Sequence, residues 1–400
     1  MLQFKTFTST ISESVEAPEK LGHLEHIEDR ALQSGDAGIH HAMNTLGGMH
    51  DYLSGKPSEV KVNEKMDGAP SLVWGTNPEN GKFFVSTKSW GNKTPKINYT
   101  PEDVERNHGH APGLVEKLKA ALQHLPKVTP KGKIYQGDVM HSGSDVVDRG
   151  DHYAFTPNTI TYKVPKNSPE AKKLEGSKFG VAVHTEYKGG KDLASQRPQF
   201  GPSLGGFRKH PDVHVISTET KPDPANFSNK DRNEFNTYMN AAQEAHAALH
   251  PDAHSVAQRH IEHIMPYINS EVRRGGRPSH QGLMDFVQER GQKEIGKLKS
   301  ATAIDRKSDL LNQRLNDIGS NEKHIQNLFN LHGHLQNAKN VLARVAAKNK
   351  RFGTEINGTE SGPEGMVVIN PKTNTIDKAV DRDEFSAANF AKNQAGKFSS

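Results

Sequence analysis

The 400-residue sequence contains no cysteine. Disulfide bonds, thiolate nucleophiles and cysteine-ligated zinc are therefore excluded, and a reducing compartment fits this composition. The sequence also lacks any apolar run that approaches the roughly 20 residues needed to cross a bilayer. Its first residues show no basic start followed by an apolar stretch, so we expect no signal peptide. Together these absences predict a cytoplasmic protein that does not bind membranes.

Hydrophobic residues are also scarce, at 33% of the chain, and the mean hydropathy is −0.77. The apolar residues nevertheless recur with clear periodicity, which indicates a folded protein with a large solvent-exposed polar surface and not a disordered chain. The formal net charge is +5, which is compatible with a phosphate-bearing partner but is common among enzymes of other kinds. The length allows two or three domains.

Periodicity divides the chain into four stretches. Residues 1–55 predict a short lead-in followed by an N-terminal helical cap. In residues 56–205, short β-prone runs alternate with Gly, Pro, Asn and Asp, a pattern typical of a mostly antiparallel sheet. Residues 206–351 predict amphipathic helices with N-caps at Ser279 and Ser320, and residues 352–400 return to strands before a polar tail. We therefore expect an α+β domain interrupted by an all-α insertion.

The strongest local motif is E-K-M-D-G at residues 64–68, which lies between two β-prone runs. A lysine in this position, beside a tight glycine turn, can point into a cleft. Lysine amines become nucleophiles when partial burial or neighbouring cations lower their pKa. The alternative interpretation is a surface turn with Asp-Gly at its tip. Taken alone, the motif leaves both interpretations open.

Four further pieces follow in order along the chain, each at or beside a β-prone run: Lys88 in S-T-K-S, Asp138 in Q-G-D, His184 in a strand at 179–185, and Glu364 in P-E-G-M-V-V, 14 residues before Lys378. Each piece also has a structural interpretation. Lys88 fits a solvated edge-strand lysine, and Asp138 fits a turn or cap residue. Glu364 fits an ordinary strand entry. For His184, the residues favour a strand histidine whose ring is hydrogen-bonded within the protein.

This ordered set resembles the motifs of the covalent nucleotidyltransferase superfamily, which contains ATP-dependent DNA ligases, RNA ligases and mRNA capping enzymes. Residues 65–68 match the first motif, K-x-D/H-G, and a glutamate before that lysine is more similar to phage RNA ligases. Residues 364–368 look like the fourth motif, E-G-x-V. Lys88, Asp138 and Lys378 stand where the family has an arginine, a glutamate and paired lysines.

The resemblance covers roughly residues 60–190 and 360–382. Residues 23–29 and 381–390 are also similar to uncharacterised bacteriophage proteins that carry such a core, which would place the protein in the host cell cytoplasm. The implied fold is an antiparallel-sheet, ATP-grasp-like ligase core. The implied cofactors are ATP and Mg²⁺, and the implied partner is nucleic acid: RNA, nicked DNA or a hybrid.

The resemblance implies a three-step chemistry. Lys65 is the expected catalytic residue and would attack the α-phosphate of ATP to form lysyl-AMP. The AMP would pass to a 5′-phosphate end, and a 3′-OH would then displace it. Such transfer depends on charge neutralisation and alignment more than on acid–base chemistry.

The resemblance also assigns roles to the residues that match the motifs. Lys88 and Lys378 would supply positive charge at the phosphates, and Asp138 and Glu364 would bind Mg²⁺ and lie near the ribose. Glu64 would accept a hydrogen bond from the adenine amino group. The complete expected nucleotide-binding set is Glu64, Asp67, Gly68, Lys88, Asp138, His184, Glu364 and Lys378.

The sequence departs from the family pattern in three places. Asp138 is one methylene shorter than the usual glutamate. Lys378 stands alone where the fifth motif has two lysines, so Lys372 or Arg382 would have to supply the second charge. About 20 residues follow Lys378, too few for the oligonucleotide-binding barrel that DNA ligases usually carry.

The helical stretch is the natural substitute for that barrel. Its arginines and lysines either contact backbone phosphates or form solvated helix faces: Arg273, Arg274, Arg277, Lys293, Lys297, Lys299, Arg344, Lys348, Lys350 and Arg351. Histidines three apart, His260 and His263, have no evident partners for a metal site.

The hypothesis from the sequence is an RNA ligase-like enzyme. The alternatives are a DNA ligase without the usual barrel, an enzyme that transfers AMP to another acceptor, and a phage binding or structural protein that keeps the fold without turnover. The sequence distinguishes neither RNA from DNA nor one oligomeric state from another.

Overall fold

The computed structural model describes residues 24–382 and shows a mixed α+β fold whose sheets are mostly antiparallel. The chain forms two compact units. The sheet unit comprises Asp67–Thr159 and Val164–Ser217. The helix-rich unit comprises, among the described residues, 24–66, Ile160–Lys163 and 218–382. The boundary between the units therefore passes through the E-K-M-D-G motif, after Met66.

Within residues 24–382 the α-helices are α1 (Arg30–Gln33), α2 (Gly35–Leu53), α3 (Pro101–His108), α4 (Pro112–His124), α5 (Pro169–Leu174), α6 (Asn229–Ala247), α7 (Ala253–Arg274), α8 (His280–Ile295), α9 (Ala301–Ser320) and α10 (Glu322–Ala347). Among these described helices, none is both long and apolar enough to cross a membrane.

The β-strands of the same residues are β1 (Lys61–Glu64), β2 (Ser71–Thr76), β3 (Phe83–Ser86), β4 (Ile134–Ser142), β5 (Val147–Asp148), β6 (His152–Phe155), β7 (Thr161–Pro165), β8 (Phe179–Lys188), β9 (Arg197–Phe200), β10 (Val213–Ser217), β11 (Gly353–Ile356), β12 (Thr359–Glu360), β13 (Met366–Asn370) and β14 (Thr375–Ala379).

The sheet unit is built on a sheet with the strand order β10-β8-β4-β2-β3, to which β9 adds beside β8. All of its pairs are antiparallel except β8 with β10. One face packs under α3 and α4, where alternate strand residues such as Trp74, Tyr135 and Val181 are buried. Because side chains alternate between faces, the residues between them point to the other side of the sheet.

The helix-rich unit has two hydrophobic cores. The first lies between α2, α6, α10 and an antiparallel sheet of order β1-β13-β14. The second is formed mainly by α7, α8, α9 and the start of α10. The long α10 contributes to both cores, so its apolar residues lie on more than one side, and thirteen of its residues are buried.

The structure differs from the predicted organisation in three respects. Val213–Ser217, which lies within the predicted helical stretch 206–351, forms strand β10 in the large sheet, and the helices begin at Asn229. The N-terminal helices are not a separate cap, since α2 shares a core with α6 and α10. Ser279 caps α8 as predicted, but Ser320 is the last residue of α9 and Asn321 is the N-cap of α10. Residues 1–23 and 383–400, including most of the polar tail, lie outside the described residues.

Candidate active site

Lys65 directly follows strand β1, and its position is set by the chain at the start of β13. Its backbone N–H donates to the carbonyl of Gly365 at 2.9 Å, and its side-chain ammonium contacts the carboxylate of Glu364. Gly365 has a φ of 147°, and a Cβ there would lie 2.6 Å from the Val380 side chain. Glycine is therefore required at this position, in agreement with the E-G motif.

Lys378 is brought to the same place by sheet pairing. It lies on β14 opposite Val367, while Met366 on β13 pairs with Glu64. Burial lowers the pKa of Lys378, and the positive charge of Lys65 lowers it further, against the opposing effect of Glu364. The three-stranded sheet thus brings together Lys65, Glu364 and Lys378, which the sequence motifs predicted to act together.

Glu64 is buried beside this group. Burial raises its pKa to about 7, although the charge of Arg351 and a hydrogen bond from the Arg351 backbone act in the opposite direction. Its Oε1 atom is buried and has no hydrogen-bond partner among the described residues. A buried acceptor without a donor is costly, so this oxygen is a candidate for a ligand N–H group.

Replacing Glu64 by glutamine should change how stability depends on pH. The folded protein holds this proton more tightly than the unfolded chain, whose carboxyl has the ordinary pKa of 4.5. The bound proton of Glu64 therefore stabilises the folded protein fully below pH 4.5. This contribution, about 3 kcal/mol, is lost as the pH rises through about 7. Glutamine stays neutral, so the variant should match the wild type near pH 4.5 and be more stable at pH 8.

Urea unfolding across this pH range measures the effect. Glu116→Gln is the matched control, because Glu116 is exposed on α4. Its pH profile should be parallel to that of the wild type. A Glu64→Gln profile that is also parallel to the wild type would mean that Glu64 does not titrate as a buried group.

The sheet unit places Asp138 and His184 together. Asp138 on β4 and His184 on β8 lie on the face opposite α3 and α4, because their neighbours Val139 and Val183 belong to the core beneath those helices. The His184 ring nitrogen Nε2 is 3.7 Å from an Asp138 carboxylate oxygen, and Nδ1 is 2.8 Å from the Thr185 hydroxyl. Both side chains are partly exposed, so each remains accessible to a ligand.

Gly68 and Asp67 each have a structural role in the sheet unit. A Cβ at Gly68 would lie 2.6 Å from the Cβ of Asp138, so only glycine allows this close approach. The Asp67 carboxylate accepts hydrogen bonds from the Asn158 side chain at 2.8 Å and the Thr159 backbone N–H at 2.7 Å. The structure therefore gives Asp67 a loop-anchoring role that the sequence did not predict.

Lys88 lies in a short 3₁₀ helix, Lys88–Gly91, directly after β3. Trp90 anchors this helix by stacking on Phe84 with a ring separation of 5.4 Å, while the side chain of Lys88 is exposed. The segment is fixed by packing and the lysine is free to reach solvent or a ligand, so both interpretations of Lys88 remain open.

Lys372 and Arg382, which we considered for the second positive charge of the fifth motif, both pair with other residues. Lys372 pairs with Glu59 at 2.7 Å on the surface, and Arg382 is buried against Asp29 at 3.0 Å. Several of the basic residues expected to contact phosphates also pair with carboxylates within the helix-rich unit: Arg274, Lys293, Arg344 and Lys348. These pairs support solvated or structural roles for those residues.

The sequence did not predict a buried ionic network behind β14, formed by Glu28, Asp29, His332, Lys339 and Arg382. Lys339 donates to Glu28 at 2.6 Å, and both side chains are fully buried. His332 contacts Asp29 at 2.9 Å. Burial raises the pKa of both carboxyls, but their cationic and hydrogen-bonding neighbours outweigh it and the net shift is downward.

This network is joined to Lys378 through the backbone. Lys378 N–H donates to the Glu25 carbonyl at 2.8 Å, and Ile27 N–H donates to the Lys378 carbonyl at 3.2 Å. The neighbouring Asp377 accepts from Arg30 at 2.8 Å and contacts His41 at 2.6 Å. Residues 25–30 therefore hold the edge of β14, and with it Lys378, in a fixed position.

A cavity of about 380 Å³ adjoins Glu364 within the helix-rich unit. It lies between the last turns of α10 and the chain from β12 to β13. Apolar side chains such as Ala347, Ile356 and Pro363 line it together with charged residues such as Arg344 and Asp381. Its size and mixed lining fit part of a small organic ligand.

A family model described as "Family of unknown function (DUF6267)" matches residues 22–394. Neither a curated protein nor a solved structure matches the chain.

Proposed function

Because the chain belongs to this family of unknown function, its activity has to be inferred from the site itself, and we propose that it is an ATP-dependent polynucleotide ligase acting through lysyl-AMP. The observation that carries the proposal is that Lys65 at the end of β1, Glu364 just before β13 and Lys378 on β14 come together at one three-stranded sheet. These residues come from motifs that resemble the first, fourth and fifth motifs of the covalent nucleotidyltransferases. We propose the corresponding ligase core as the finer description of the α+β fold.

In the proposed first step, the Lys65 amine attacks the α-phosphorus of ATP. A nitrogen–phosphorus bond forms, the bond to the bridging oxygen breaks, and pyrophosphate leaves. The proton lost by the ammonium passes to solvent. Lys378 supplies positive charge beside the reacting phosphate, where charge stabilisation matters most.

The site has features that fit the nucleotide. The unsatisfied Oε1 of Glu64 can accept from the amino group of adenine, whereas guanine presents a carbonyl at that position. The cavity beside Glu364 offers room for the ribose or base. Glu364 is a carboxylate of the kind that binds magnesium, which needs only one or two when phosphates and waters complete its shell. Bound Mg²⁺ would neutralise phosphate charge.

The proposed substrate is a nucleic acid with a 5′-phosphate and an adjacent 3′-OH, and RNA is preferred on the resemblance alone. DNA joining is the alternative within this class. One observation also favours a non-enzymatic alternative: Lys65, the proposed nucleophile, forms an ion pair with Glu364. In an active enzyme, nucleotide and metal must separate this pair.

Self-adenylylation tests the proposal. Incubation of the full chain with α-labelled ATP and Mg²⁺ should attach label to the protein through an acid-labile phosphoramidate, and added pyrophosphate should remove it. Labelled protein should then join nicked RNA, DNA or hybrid duplexes, and the best substrate identifies the class. A folded protein that takes up no label between pH 6 and 9 would refute the enzymatic proposal and leave a binding or structural role.

A further inference from the structure

Three side chains with metal-binding atoms meet on the surface of the helix-rich unit, where α2 lies beside α6. Asp36 and His40 are one turn apart on α2, and His246 is near the end of α6. His246 Nε2 is 2.6 Å from one Asp36 oxygen, and His40 Nε2 is 3.3 Å from the other. The three candidate ligand atoms all lie within 4.8 Å of one another.

These spacings suit a small tetrahedral ion. Zinc binds imidazole nitrogen and carboxylate oxygen at 2.0–2.2 Å, so neighbouring ligand atoms lie about 3.4 Å apart. The observed separations need only small side-chain rotations to match this value. Since Asp36 and His40 are more than half exposed, an ion can enter and a water can complete its coordination.

A third histidine stands beside this group. His254, at the start of α7, lies so close to Gly35 that a Cβ there would be 3.5 Å from its ring. Its Nδ1 is buried without a hydrogen-bond partner among the described residues. This nitrogen lies beside Gly35, the residue that precedes Asp36.

The buried network behind β14 has similar residue types but a different charge balance. Glu28 and Asp29 are already compensated by Lys339 and Arg382 within the same network. An added divalent cation would meet two fixed positive charges there. At the surface group, the ligand distances involve only Asp36, His40 and His246. Charge therefore singles out the surface group as the better cation site.

We propose that Asp36, His40 and His246 form a binding site for a zinc-like divalent transition-metal ion, with His254 adjacent to this group. The bound ion would join α2 to α6, the two helices that enclose the first core of this unit. Two imidazoles and one carboxylate favour Zn²⁺, Co²⁺ or Ni²⁺ over Mg²⁺, which prefers oxygen ligands. The proposal does not depend on the ligase activity.

Metal titration of the full chain tests this site. After treatment with a chelator, the wild type should bind one more Zn²⁺ ion than Asp36→Asn or His246→Gln. Zinc binding should also raise the melting temperature of the wild type by about 3 °C. Co²⁺ should give the visible absorption of a tetrahedral complex. Loss of either ligand should weaken binding by more than the roughly 10–100-fold that follows loss of an outer-shell partner.

His110→Gln is the matched control, because His110 is an exposed histidine in the sheet unit. It should bind Zn²⁺ as the wild type does, and Mg²⁺ should not compete. The chain has 22 histidines, so the difference between variants is the decisive quantity. Equal zinc stoichiometry and affinity in the wild type, Asp36→Asn and His246→Gln, or no zinc binding at all, would overturn the proposal.

Discussion

Replacing Lys65 by alanine should reduce AMP attachment by at least about 1,000-fold, since the remaining site cannot compensate for the loss of the proposed covalent nucleophile. Lys65→Arg should be equally inactive. Arginine keeps the positive charge facing Glu364 but has no amine that can form the phosphoramidate. Gel analysis after incubation with α-labelled ATP, and the mass increase of one AMP in the intact protein, both measure the outcome.

Lys61→Ala provides the control for this experiment. Lys61 is the first residue of β1, the strand that Lys65 directly follows. Its side chain is partly exposed and pairs with Glu219 at 3.1 Å. Its loss removes a lysine from the same strand without touching Glu364 or Lys378, so labelling should be unchanged. Labelling of Lys65→Ala at the wild-type level would show that another group accepts AMP and would refute the assigned nucleophile. Circular dichroism of each variant establishes that it is folded.

Replacing Lys339 by methionine should destabilise the protein by about 3–5 kcal/mol at neutral pH, because it leaves the Glu28 carboxylate buried without its closest cationic partner. Both side chains of the pair are fully buried. In the wild type, burial raises the pKa of Glu28, but Lys339, His26 and Arg382 together outweigh burial and the net pKa is lowered. The associated stability is present above pH 4.5 and is lost as the pH falls through the lower pKa of the folded state.

In the Lys339→Met variant, burial acts on Glu28 without this opposing charge, so protonation relieves part of the damage. The difference from the wild type should therefore shrink between pH 7.5 and pH 5, as measured by urea unfolding. Adding Glu28→Gln to the variant should recover much of the loss. Lys372→Met is the exposed control, because the Lys372–Glu59 pair should contribute less than about 1 kcal/mol. Equal losses for Lys339→Met and Lys372→Met would contradict the proposed importance of burial.

Local patterns predicted the strands around the candidate site. The β-prone runs on either side of the E-K-M-D-G motif are β1 and β2, and Lys378 lies on β14 as expected. Period-2 alternation and turn residues depend on a few neighbouring positions, so they are readable without knowledge of the fold. The order of the motifs also anticipated that Lys65, Glu364 and Lys378 would meet.

Features that depend on distant contacts were not predictable in this way. Strand β10 has only five residues, and its parallel pairing with β8 is visible only in the folded sheet. Glu28 and Lys339 are 311 residues apart, and charged side chains are normally expected at the surface, so no local signal identifies their burial. The Asp36–His40–His246 group likewise lies on two helices, α2 and α6, and no sequence pattern indicates that these helices are neighbours.

The pairing of β1 with β13 has a consequence for synthesis of the protein on the ribosome. Strand β13 lies between β1 and β14, and Glu64 pairs with Met366, about 300 residues later. At ordinary elongation rates, the nascent chain therefore carries β1 without this neighbour for roughly 15–60 s. Lys65 meets Glu364 only after these residues have been made, so a chain that stops before β13 contains every strand of the large sheet but lacks the Lys65–Glu364 pair.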